Sequence, residues 1–314
     1  MNLPYFDAAA VRSAAPWMTA IAALEHALLD GVDPEEDSPR LFSPAPGGEF
    51  LLMPSSGRRY SGVKALTVAP GNPARGLEKI QGVYILFDSD TLAPLATMDG
   101  NELTAIRTPA ITLLAVKDIL ASAPGRTTAA GQVLVFGTGI QALNHLRAAH
   151  AVLPEAGLAC VGRRTDRVAA LIGQLASEGI EVRAGSDADV PEAEVVICAT
   201  SSSTPLFDGA LVAPGAVVAA VGQHGLDARE VDFQLVLRSD VVVEGRASAM
   251  REAGDLIPAR SKEDWESIRP ANLRDLVKGE FSRSPDKPCL YAGVGMAWED
   301  LVTAAVVYEG GNRS

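Results

Sequence analysis

The stretch VLVFGTGIQALNHL, Val133–Leu146, joins an apolar run to a helical pattern through two glycines one residue apart. Gly137, Gly139 and Ala142 match the spacing G-x-G-x-x-G/A, directly after a predicted strand and before a predicted helix. The first glycine allows a tight turn, the second lets the backbone approach a pyrophosphate, and the small third residue lets helix and strand pack closely. The helix start also offers unpaired N–H groups to an anion. The stretch predicts a dinucleotide-binding loop, with an ordinary strand-to-helix turn as the alternative.

The pattern around this stretch predicts the fold class. Between residues 123 and 290, apolar strands alternate with helical segments, which is typical of a parallel sheet covered on both faces. Residues 1–122 instead predict a helix, short antiparallel strands and a long helix, and a last helix is expected from about Ala297. The chain is therefore predicted to be α/β, with a Rossmann-type doubly wound domain at 123–290 and an α+β domain made of 1–122 plus 291–314.

Composition limits the classes of partner. The chain has 314 residues, is 47% hydrophobic and carries a formal net charge of -12, which argues against a nucleic acid or an anionic membrane surface as partner. We see no signal-peptide pattern at the N-terminus and no uncharged run near the ~18 residues of a membrane helix, so a cytoplasmic location is expected. Cys160, Cys198 and Cys289 lie far apart without Cys/His metal spacing. They are expected to be core thiols, and no metal site is expected.

The second predicted strand of the doubly wound domain bears on the choice of dinucleotide. It ends in Gly162, Arg163, Arg164 and Thr165, with no carboxylate before Asp166. A carboxylate at this point usually binds the ribose hydroxyls of NAD, whereas arginine binds the 2′-phosphate of NADP. NADP(H) is therefore favoured and NAD(H) remains possible. Two solvated arginines without a ligand are the alternative interpretation.

In sheets of this kind, ligands lie beyond the carboxyl ends of the strands. The expected cofactor contacts come from the long first-domain helix, the glycine loop, the arginine segment, two later strand ends and the last helix: Thr108, Gly137, Thr138, Gly139, Ile140, Gln141, Arg163, Arg164, Thr165, Thr200, Ser201, Val221, Gly222 and Asp300. For Asp300, capping of a neighbouring element is a second interpretation.

Three cations of the first domain occur in apolar or small-residue contexts. Arg40 lies in SPRLFS, Lys64 in YSGVKALTV and Arg107 in ELTAIRTPA. In an acidic chain, three such cations from separate segments indicate a carboxylate pocket, because a carboxylate accepts a bidentate arginine and a further donor. Each cation alone is better explained as a surface charge or as a member of a structural ion pair.

The motifs, taken together, carry a family resemblance. The chain contains, in order, PRLF, LLMP, GVKALTVAPGN, LFDSDTLAPLATMDGNELTAIRTPA, VFGTGIQALNH, AVGQHGLDAREVD, AGDL and GVGMAWEDL. In this order they resemble the ornithine cyclodeaminase and mu-crystallin family over almost the whole chain. The resemblance implies an N-terminal domain for substrate binding and dimerisation, completed by the C-terminal helix, and hence a homodimer.

The resemblance also implies residue roles. Arg40, Lys64 and Arg107 would bind the substrate carboxylate, in agreement with the pocket inferred from charge. Where the cyclodeaminases carry an aspartate for the substrate amine, this chain has His224, after Gln223. Lys64 and His224 are the catalytic candidates: an imidazole can deliver a proton to a substrate nitrogen, or His224 is a polar loop residue that packs beside the nicotinamide.

The missing aspartate and the arginine-ended strand favour one activity. We expect an NAD(P)-dependent reductase that converts a cyclic or linear imine of an α-keto acid, of the pyrroline-2-carboxylate or piperideine-2-carboxylate type, to an L-amino acid. The alternatives are an amino-acid dehydrogenase, an ornithine cyclodeaminase that recycles bound NAD, and a non-catalytic binder of NADPH and a small ligand.

Overall fold

The computed structural model describes residues 3–123, 130–222 and 225–311. The strands in these ranges are β1 (Tyr5–Phe6), β2 (Leu41–Ala45), β3 (Gly48–Ser56), β4 (Tyr60–Val68), β5 (Ile80–Asp88), β6 (Pro94–Asp99), β7 (Gln132–Phe136), β8 (Gly157–Val161), β9 (Val182–Ala184), β10 (Val195–Cys198), β11 (Val217–Ala220), β12 (Asp240–Val243), β13 (Ala271–Asn272) and β14 (Cys289–Ala292). The α-helices are α1 (Ala8–Ala14), α2 (Trp17–Leu29), α3 (Gly100–Ala121), α4 (Ile140–Val152), α5 (Thr165–Ser177), α6 (Phe233–Arg238), α7 (Arg246–Glu252), α8 (Lys262–Ile268), α9 (Leu273–Val277) and α10 (Ala297–Gly311). Short 3-10 helices lie at Pro34–Glu36, Asn72–Arg75, Asp187–Glu192, Gly209–Leu211 and Ile257–Ala259.

Residue contacts divide the chain into two compact units, Met1–Arg107 with Met296–Ser314, and Thr108–Gly295. The first division lies between Arg107 and Thr108, inside α3. The boundary expected from the sequence lies after residue 122, which is after the end of this helix. The second division follows β14, because β14 pairs within the parallel sheet, whereas the sequence places the boundary after residue 290.

The first unit contains a six-stranded sheet among its described residues, in the order β1-β6-β5-β4-β3-β2. All neighbours are antiparallel except β1 and β6. Within β4, Gly62, Lys64 and Leu66 are buried at alternate positions, so one face of the strand is turned to the interior. Leu66 belongs to an apolar cluster that also contains Ala297 at the start of α10. The C-terminal helix thus packs on the buried face of the sheet that carries Lys64.

The second unit contains an eight-stranded sheet in its described part, in the order β13-β12-β14-β11-β10-β7-β8-β9, with every pair parallel. All residues of β10 and β11 are buried, as expected for strands covered on both faces. From β7 the chain adds strands outward in one direction through β8 to β9 and then returns to add β10 on the other side of β7. The crevice at the carboxyl ends of β7 and β10 is therefore the switch point at which ligands bind in such sheets.

The predicted fold class is confirmed, with a doubly wound parallel sheet and a separate antiparallel sheet. The short antiparallel strands expected in residues 1–122 are present, and β5 and β6 are one such pair. The three cysteines are free and buried, as expected for core thiols. Among the described helices, none combines the length and the apolar character needed to cross a membrane.

Candidate functional site

The glycine loop lies where the sequence predicts it, between β7 and α4. Gly137 has φ of 130°, a region that L-residues with a side chain rarely adopt. A Cβ at Gly137 would overlap the carbonyl oxygen of Ala199, which follows β10, and would lie 3.1 Å from the Cβ of Ala142. The glycine therefore permits both the turn and the close approach of the β7 and β10 ends, and the small Ala142 permits the packing of α4.

The second glycine leaves open space at the helix start. Gly139 is the N-cap residue of α4, and no side chain caps this helix end. A Cβ at Gly139 would meet no heavy atom of the described residues within 4 Å. The start of α4 thus has no side-chain cap and has room beside Gly139, which suits the pyrophosphate of a dinucleotide. Ile140, at the helix start, is 55% exposed.

The arginine segment is exposed after β8. Arg164 makes a bidentate pair with Asp166, with Nη2 at 2.6 Å from Oδ2 and Nε at 3.1 Å from Oδ1. This pairing lowers the pKa of Asp166. Arg163 is also exposed and has no hydrogen bond or ion pair within the described part of the chain. Arg163 is therefore the guanidinium that is free to bind a phosphate, whereas Arg164 already has a carboxylate partner.

A buried carboxylate connects two of the strand ends that the sequence predicts as cofactor contacts. Glu230 is 0% exposed and accepts hydrogen bonds from the Thr200 N–H, the Thr200 hydroxyl and the Gly222 N–H, each at 2.7 Å. The Glu230 N–H in turn donates to Asp255 Oδ1 at 2.6 Å. The loops after β10 and β11 are thereby held to one side chain.

The charge state of Glu230 depends on its burial. Burial raises the pKa of Glu230 to about 7, and the hydrogen bonds from Thr200 and Gly222 oppose this rise. The negative charge of Asp255 adds to it. Glu230 consequently titrates near neutral pH, in contact with loops of the predicted cofactor site.

In the first unit, two of the three predicted cations lie together. Lys64 on β4 and Arg107 on α3 are buried, at 1% and 6% exposure. Lys64 Nζ lies 2.6 Å from Asp300 Oδ2 and donates a hydrogen bond to the Thr104 hydroxyl at 3.2 Å. Arg107 Nη1 donates to Glu299 Oε2 at 2.9 Å, and its Nε lies 3.4 Å from Asp300 Oδ1. The cluster matches two buried cations with two buried carboxylates from α10.

The third cation acts on the cluster through its charge. Burial lowers the pKa of Lys64 to about 8, and Arg107 and Arg40 lower it further, whereas Asp300 raises it. Arg40 is half-buried and lies within electrostatic range of Lys64. Arg40 and Arg107 thus both lie within electrostatic range of Lys64 in the first unit, and the two carboxylates of α10 pair with Lys64 and Arg107. Binding of a substrate carboxylate by these cations stays a prediction.

The start of α10 is capped by Asp37, because its two carboxylate oxygens accept the N–H groups of Ala297 and Trp298 at 3.0 Å each. Asp300 was expected to contact the nicotinamide side or to cap a neighbouring element. Its carboxylate forms the ion pair with Lys64. The contact of Asp300 with a cofactor and its capping of a neighbouring element both stay predictions.

The remaining predicted residues are placed as follows. Thr108 is half-buried in α3, and its carbonyl accepts a hydrogen bond from the Thr112 hydroxyl at 2.8 Å. Thr138 of the glycine loop lies against Gly162 at the end of β8. His224 lies outside the described residues. The other predicted contacts lie in the glycine loop, the arginine segment and the loops after β10 and β11: Gln141, Thr165, Ser201 and Val221.

Comparison with known proteins identifies the family. The model of the ornithine cyclodeaminase/mu-crystallin family matches residues 9–313. The chain belongs to this family. The resemblance inferred from the motifs is thereby confirmed, and the family match covers both units.

Two family relatives are similar over almost their whole length. The chain is 36% identical over 303 residues to Delta(1)-pyrroline-2-carboxylate reductase 2 of Burkholderia ambifaria, covering 96% of this chain and 93% of the relative. It is also 36% identical over 302 residues to the Delta(1)-pyrroline-2-carboxylate/Delta(1)-piperideine-2-carboxylate reductase of Azospirillum brasilense, covering 95% and 93%. A solved structure of the Thermococcus litoralis Delta(1)-pyrroline-2-carboxylate reductase, in complex with NADH and L-proline, matches with a TM-score of 0.86. It covers 99% of this chain and 98% of that protein at 24% identity, and this likeness shows the shared fold.

Sequence reasoning missed three buried carboxylates, Glu230, Glu244 and Glu299. Glu230 and Glu299 stand in polar segments, AREVD and AWEDL, which by pattern alone predict solvent exposure. Glu244 is also buried, and its Oε2 accepts the N–H groups of Val294 and Gly295 at 2.8 and 2.7 Å. Their burial arises from contacts between segments that are distant in sequence, so no local sequence pattern predicts it.

Proposed function

We propose that the chain is a nicotinamide-dependent reductase of cyclic imino acids, which converts Δ1-pyrroline-2-carboxylate or Δ1-piperideine-2-carboxylate to the corresponding L-amino acid. The observation that carries this proposal is the buried cation cluster of the first unit. Relatives that bear the names of these activities, at 36% identity over almost the whole chain, support the choice of substrate.

In this proposal, Lys64 and Arg107 bind the carboxylate of the imino acid, and Arg40 contributes the third positive charge. Both buried cations already have carboxylate partners on α10, at 2.6 Å for Lys64 with Asp300 and 2.9 Å for Arg107 with Glu299. These pairs hold the cations in a site from which water is largely excluded, where their attraction for an anion is stronger than in solvent. A fixed carboxylate also fixes the orientation of the adjacent C=N carbon.

Reduction of the C=N bond consumes a hydride, which a bound reduced nicotinamide dinucleotide supplies, and one proton at nitrogen. Lys64 is the proposed proton-holding group of the first unit, because a pKa of about 8 keeps it protonated at neutral pH yet able to release the proton. His224 is a second candidate for this role, from the sequence.

The dinucleotide is proposed to bind at the glycine loop of the second unit, with NADPH preferred over NADH. The open space at Gly139 and the uncapped start of α4 suit a pyrophosphate. The free guanidinium of Arg163 is the proposed partner of the 2′-phosphate. Thr200 and Gly222, held by Glu230, and the further predicted contacts of this unit complete the proposed site.

We further propose that the enzyme is a cytoplasmic homodimer, with residues 1–122 and 291–314 forming the substrate and dimerisation domain and residues 123–290 the cofactor domain. The dimer is tested by light scattering of the purified chain. A particle of twice the 314-residue mass is expected, and a monomer over the whole working concentration range would contradict it.

The activity is tested with purified full-length protein, NADPH or NADH, and the two cyclic imino acids. We expect loss of NAD(P)H absorbance with either imino acid, and chiral chromatography should identify the L-amino acid. Absence of oxidation with both substrates would overturn the proposal. Conversion of ornithine to proline and ammonia without net NAD(P)H oxidation would instead identify the cyclodeaminase.

The role of the cations is tested with a matched pair of variants. Arg40→Ala removes a half-buried charge near Lys64 and should raise the KM for the imino acid about tenfold, the effect of one charge-assisted contact, without changing the KM for NADPH. Arg59→Ala is the control, because the exposed Arg59 lies in the turn between β3 and β4 and pairs with Glu309 of α10 at 2.7 Å. Equal effects of the two variants would argue against a carboxylate site at Arg40.

A further inference from the structure

Tyr84 is the direct neighbour of Lys64 in the sheet of the first unit. The two residues are register partners in the antiparallel pair of β4 and β5. Directly opposed residues project to the same face of a sheet, with Cβ atoms about 5 Å apart. Both side chains are fully buried, at 0% for Tyr84 and 1% for Lys64. The phenol therefore shares the buried face that carries the cation cluster.

A glycine in β4 makes room for the Tyr84 side chain. Gly62 precedes Lys64 by two residues and so lies on the same face of the strand. A Cβ at Gly62 would overlap the hydroxyl and the ring of Tyr84. Glycine weakens the interior of a strand, and its presence there marks a close approach of another group. The Tyr84 ring thus lies directly over the β4 backbone, which fixes the position of its hydroxyl.

The hydroxyl of Tyr84 has no hydrogen-bond partner among the described residues, although its atom is buried. Buried hydroxyl groups in proteins nearly always have a partner, because an unsatisfied donor carries a free-energy cost. A phenylalanine would fill the same space without that cost. The hydroxyl therefore does not stabilise the free protein. A ligand that accepts its hydrogen bond would explain why this position has tyrosine and not phenylalanine.

The charged groups around this hydroxyl indicate the chemical class of the ligand that it would bind. Asp300, which pairs with Lys64 at 2.6 Å, acts electrostatically on Tyr84 as well. Lys64 and Arg107 both face Asp300. A carboxylate that binds these two cations has further lone pairs for a neutral donor.

We propose that the Tyr84 hydroxyl donates a hydrogen bond to the carboxylate of the bound imino acid, beside Lys64 and Arg107, and so acts as a further substrate-positioning residue. This inference rests on the proposed function, because it takes the imino acid as the ligand of the cation cluster. Burial, and then the charge of Asp300, raise the pKa of Tyr84 well above its usual value, so the phenol stays protonated and remains a donor. A phenol with so high a pKa is a poor acid, which makes Tyr84 a positioning group and leaves proton transfer to other residues.

The test is Tyr84→Phe, which removes the hydroxyl and keeps the ring over Gly62. The KM for Δ1-pyrroline-2-carboxylate should rise about tenfold, as expected for one lost hydrogen bond to a charged group, while the KM for NADPH stays unchanged. Binding of L-proline, measured by calorimetry, should weaken by a similar factor. The melting temperature should stay the same or rise, because the variant removes an unsatisfied buried donor.

Tyr60→Phe is the matched control. The Tyr60 hydroxyl donates to Glu309 at 3.1 Å on the same sheet, so its loss should leave both the imino acid KM and L-proline binding unchanged. An active Tyr84→Phe enzyme with wild-type KM and wild-type L-proline affinity would overturn the inference and leave the proposed function intact. A lower melting temperature without a change in KM would also overturn it, since the hydroxyl would then serve the fold. If the wild-type protein reduces neither imino acid, the proposed function fails, and the calorimetric comparison alone decides the role of Tyr84.

Discussion

Lys64 Nζ and Asp300 Oδ2 lie 2.6 Å apart in a place that solvent does not reach, with the side chains 1% and 0% exposed. The pair joins β4 to the C-terminal helix across more than 200 residues of chain. Burial disfavours the ammonium and lowers the pKa of Lys64 to about 8, although Asp300 acts in the opposite direction. Lys64 therefore loses its charge as the pH rises through about 8.

The first prediction concerns the pH dependence of imino acid reduction. An ammonium is charged below its pKa, so carboxylate binding by Lys64 should be complete below pH of about 8 and lost above it. The quantity kcat/KM for the imino acid should fall accordingly on the alkaline side. Asp300→Asn removes the charge that raises the Lys64 pKa, and its alkaline fall should begin at lower pH. Identical pH profiles for Asp300→Asn and the wild type would contradict Lys64 as the titrating group.

The second prediction separates the two glycines of the loop. Gly137→Ala places a Cβ on the Ala199 carbonyl and forces alanine to a φ of 130°, so it should lower the melting temperature as well as NADPH affinity. Gly139→Ala has an ordinary φ of -91° and open space, so the protein should keep its melting temperature. Its methyl group would still occupy the pyrophosphate space and should weaken NADPH binding about tenfold or more. Thermal melts and fluorescence titration with NADPH measure both effects. Tight NADPH binding by Gly139→Ala would place the dinucleotide elsewhere.

The third prediction concerns the choice between NADPH and NADH. Arg163→Ser removes the guanidinium that has no partner in the described structure, and it should raise the KM for NADPH about tenfold while leaving that for NADH unchanged. Arg164→Ser breaks the exposed pair with Asp166 and should have a smaller effect on either cofactor. Steady-state kinetics with both cofactors provide the comparison. A loss that is equal for NADPH and NADH in Arg163→Ser would mean that Arg163 does not bind the 2′-phosphate.

The fourth prediction concerns Glu230 and stability. Its pKa is raised from 4.5 to about 7, chiefly by burial, so the folded state holds the proton more tightly than the unfolded state does. The contribution of this protonation to the free energy of unfolding is fully present below pH 4.5 and is lost as the pH rises through about 7. Relative to Glu230→Gln, which does not titrate, the wild type should lose at most about 3 kcal/mol of unfolding free energy over this range. Urea denaturation at about pH 4 and about pH 8 measures it, and a pH-independent difference would assign the titration to another group, such as Asp255.

Local patterns predicted much of the fold. The alternation of apolar strands and helices, the turn of the glycine loop and the short antiparallel strands of the first unit depend on residues close in sequence, and each was found as predicted. The pairing of β1 with β6 was not predicted, because a two-residue strand that pairs with a segment some ninety residues later leaves no periodic signal.

The sequence singled out both buried cations of the ion-pair cluster and one of its two carboxylates, Asp300. Arg107 and Lys64 stood out as charges within apolar segments of an acidic chain. Glu299 and Glu230 did not, because acidic residues in polar segments are usually exposed and only long-range contacts bury these two. The sequence does not distinguish Tyr84 from the other strand residues of GVYILFD, because its pairing with Lys64 across the sheet is known only from the register of β4 and β5.

The capping of α10 by Asp37 has a consequence for how the protein is made. Asp37, Lys64 and Arg107 leave the ribosome early. Their partners on α10, which are the N–H groups of Ala297 and Trp298 for Asp37 and the carboxylates of Asp300 and Glu299 for the two cations, are synthesised after residue 295. Until that helix emerges, Lys64 and Arg107 have no carboxylate partners from α10, and the face of the sheet against which α10 packs is not covered by it. The buried ion-pair cluster is therefore completed only after residues 108–295 have been translated, and a chain that stops before α10 lacks its two carboxylates.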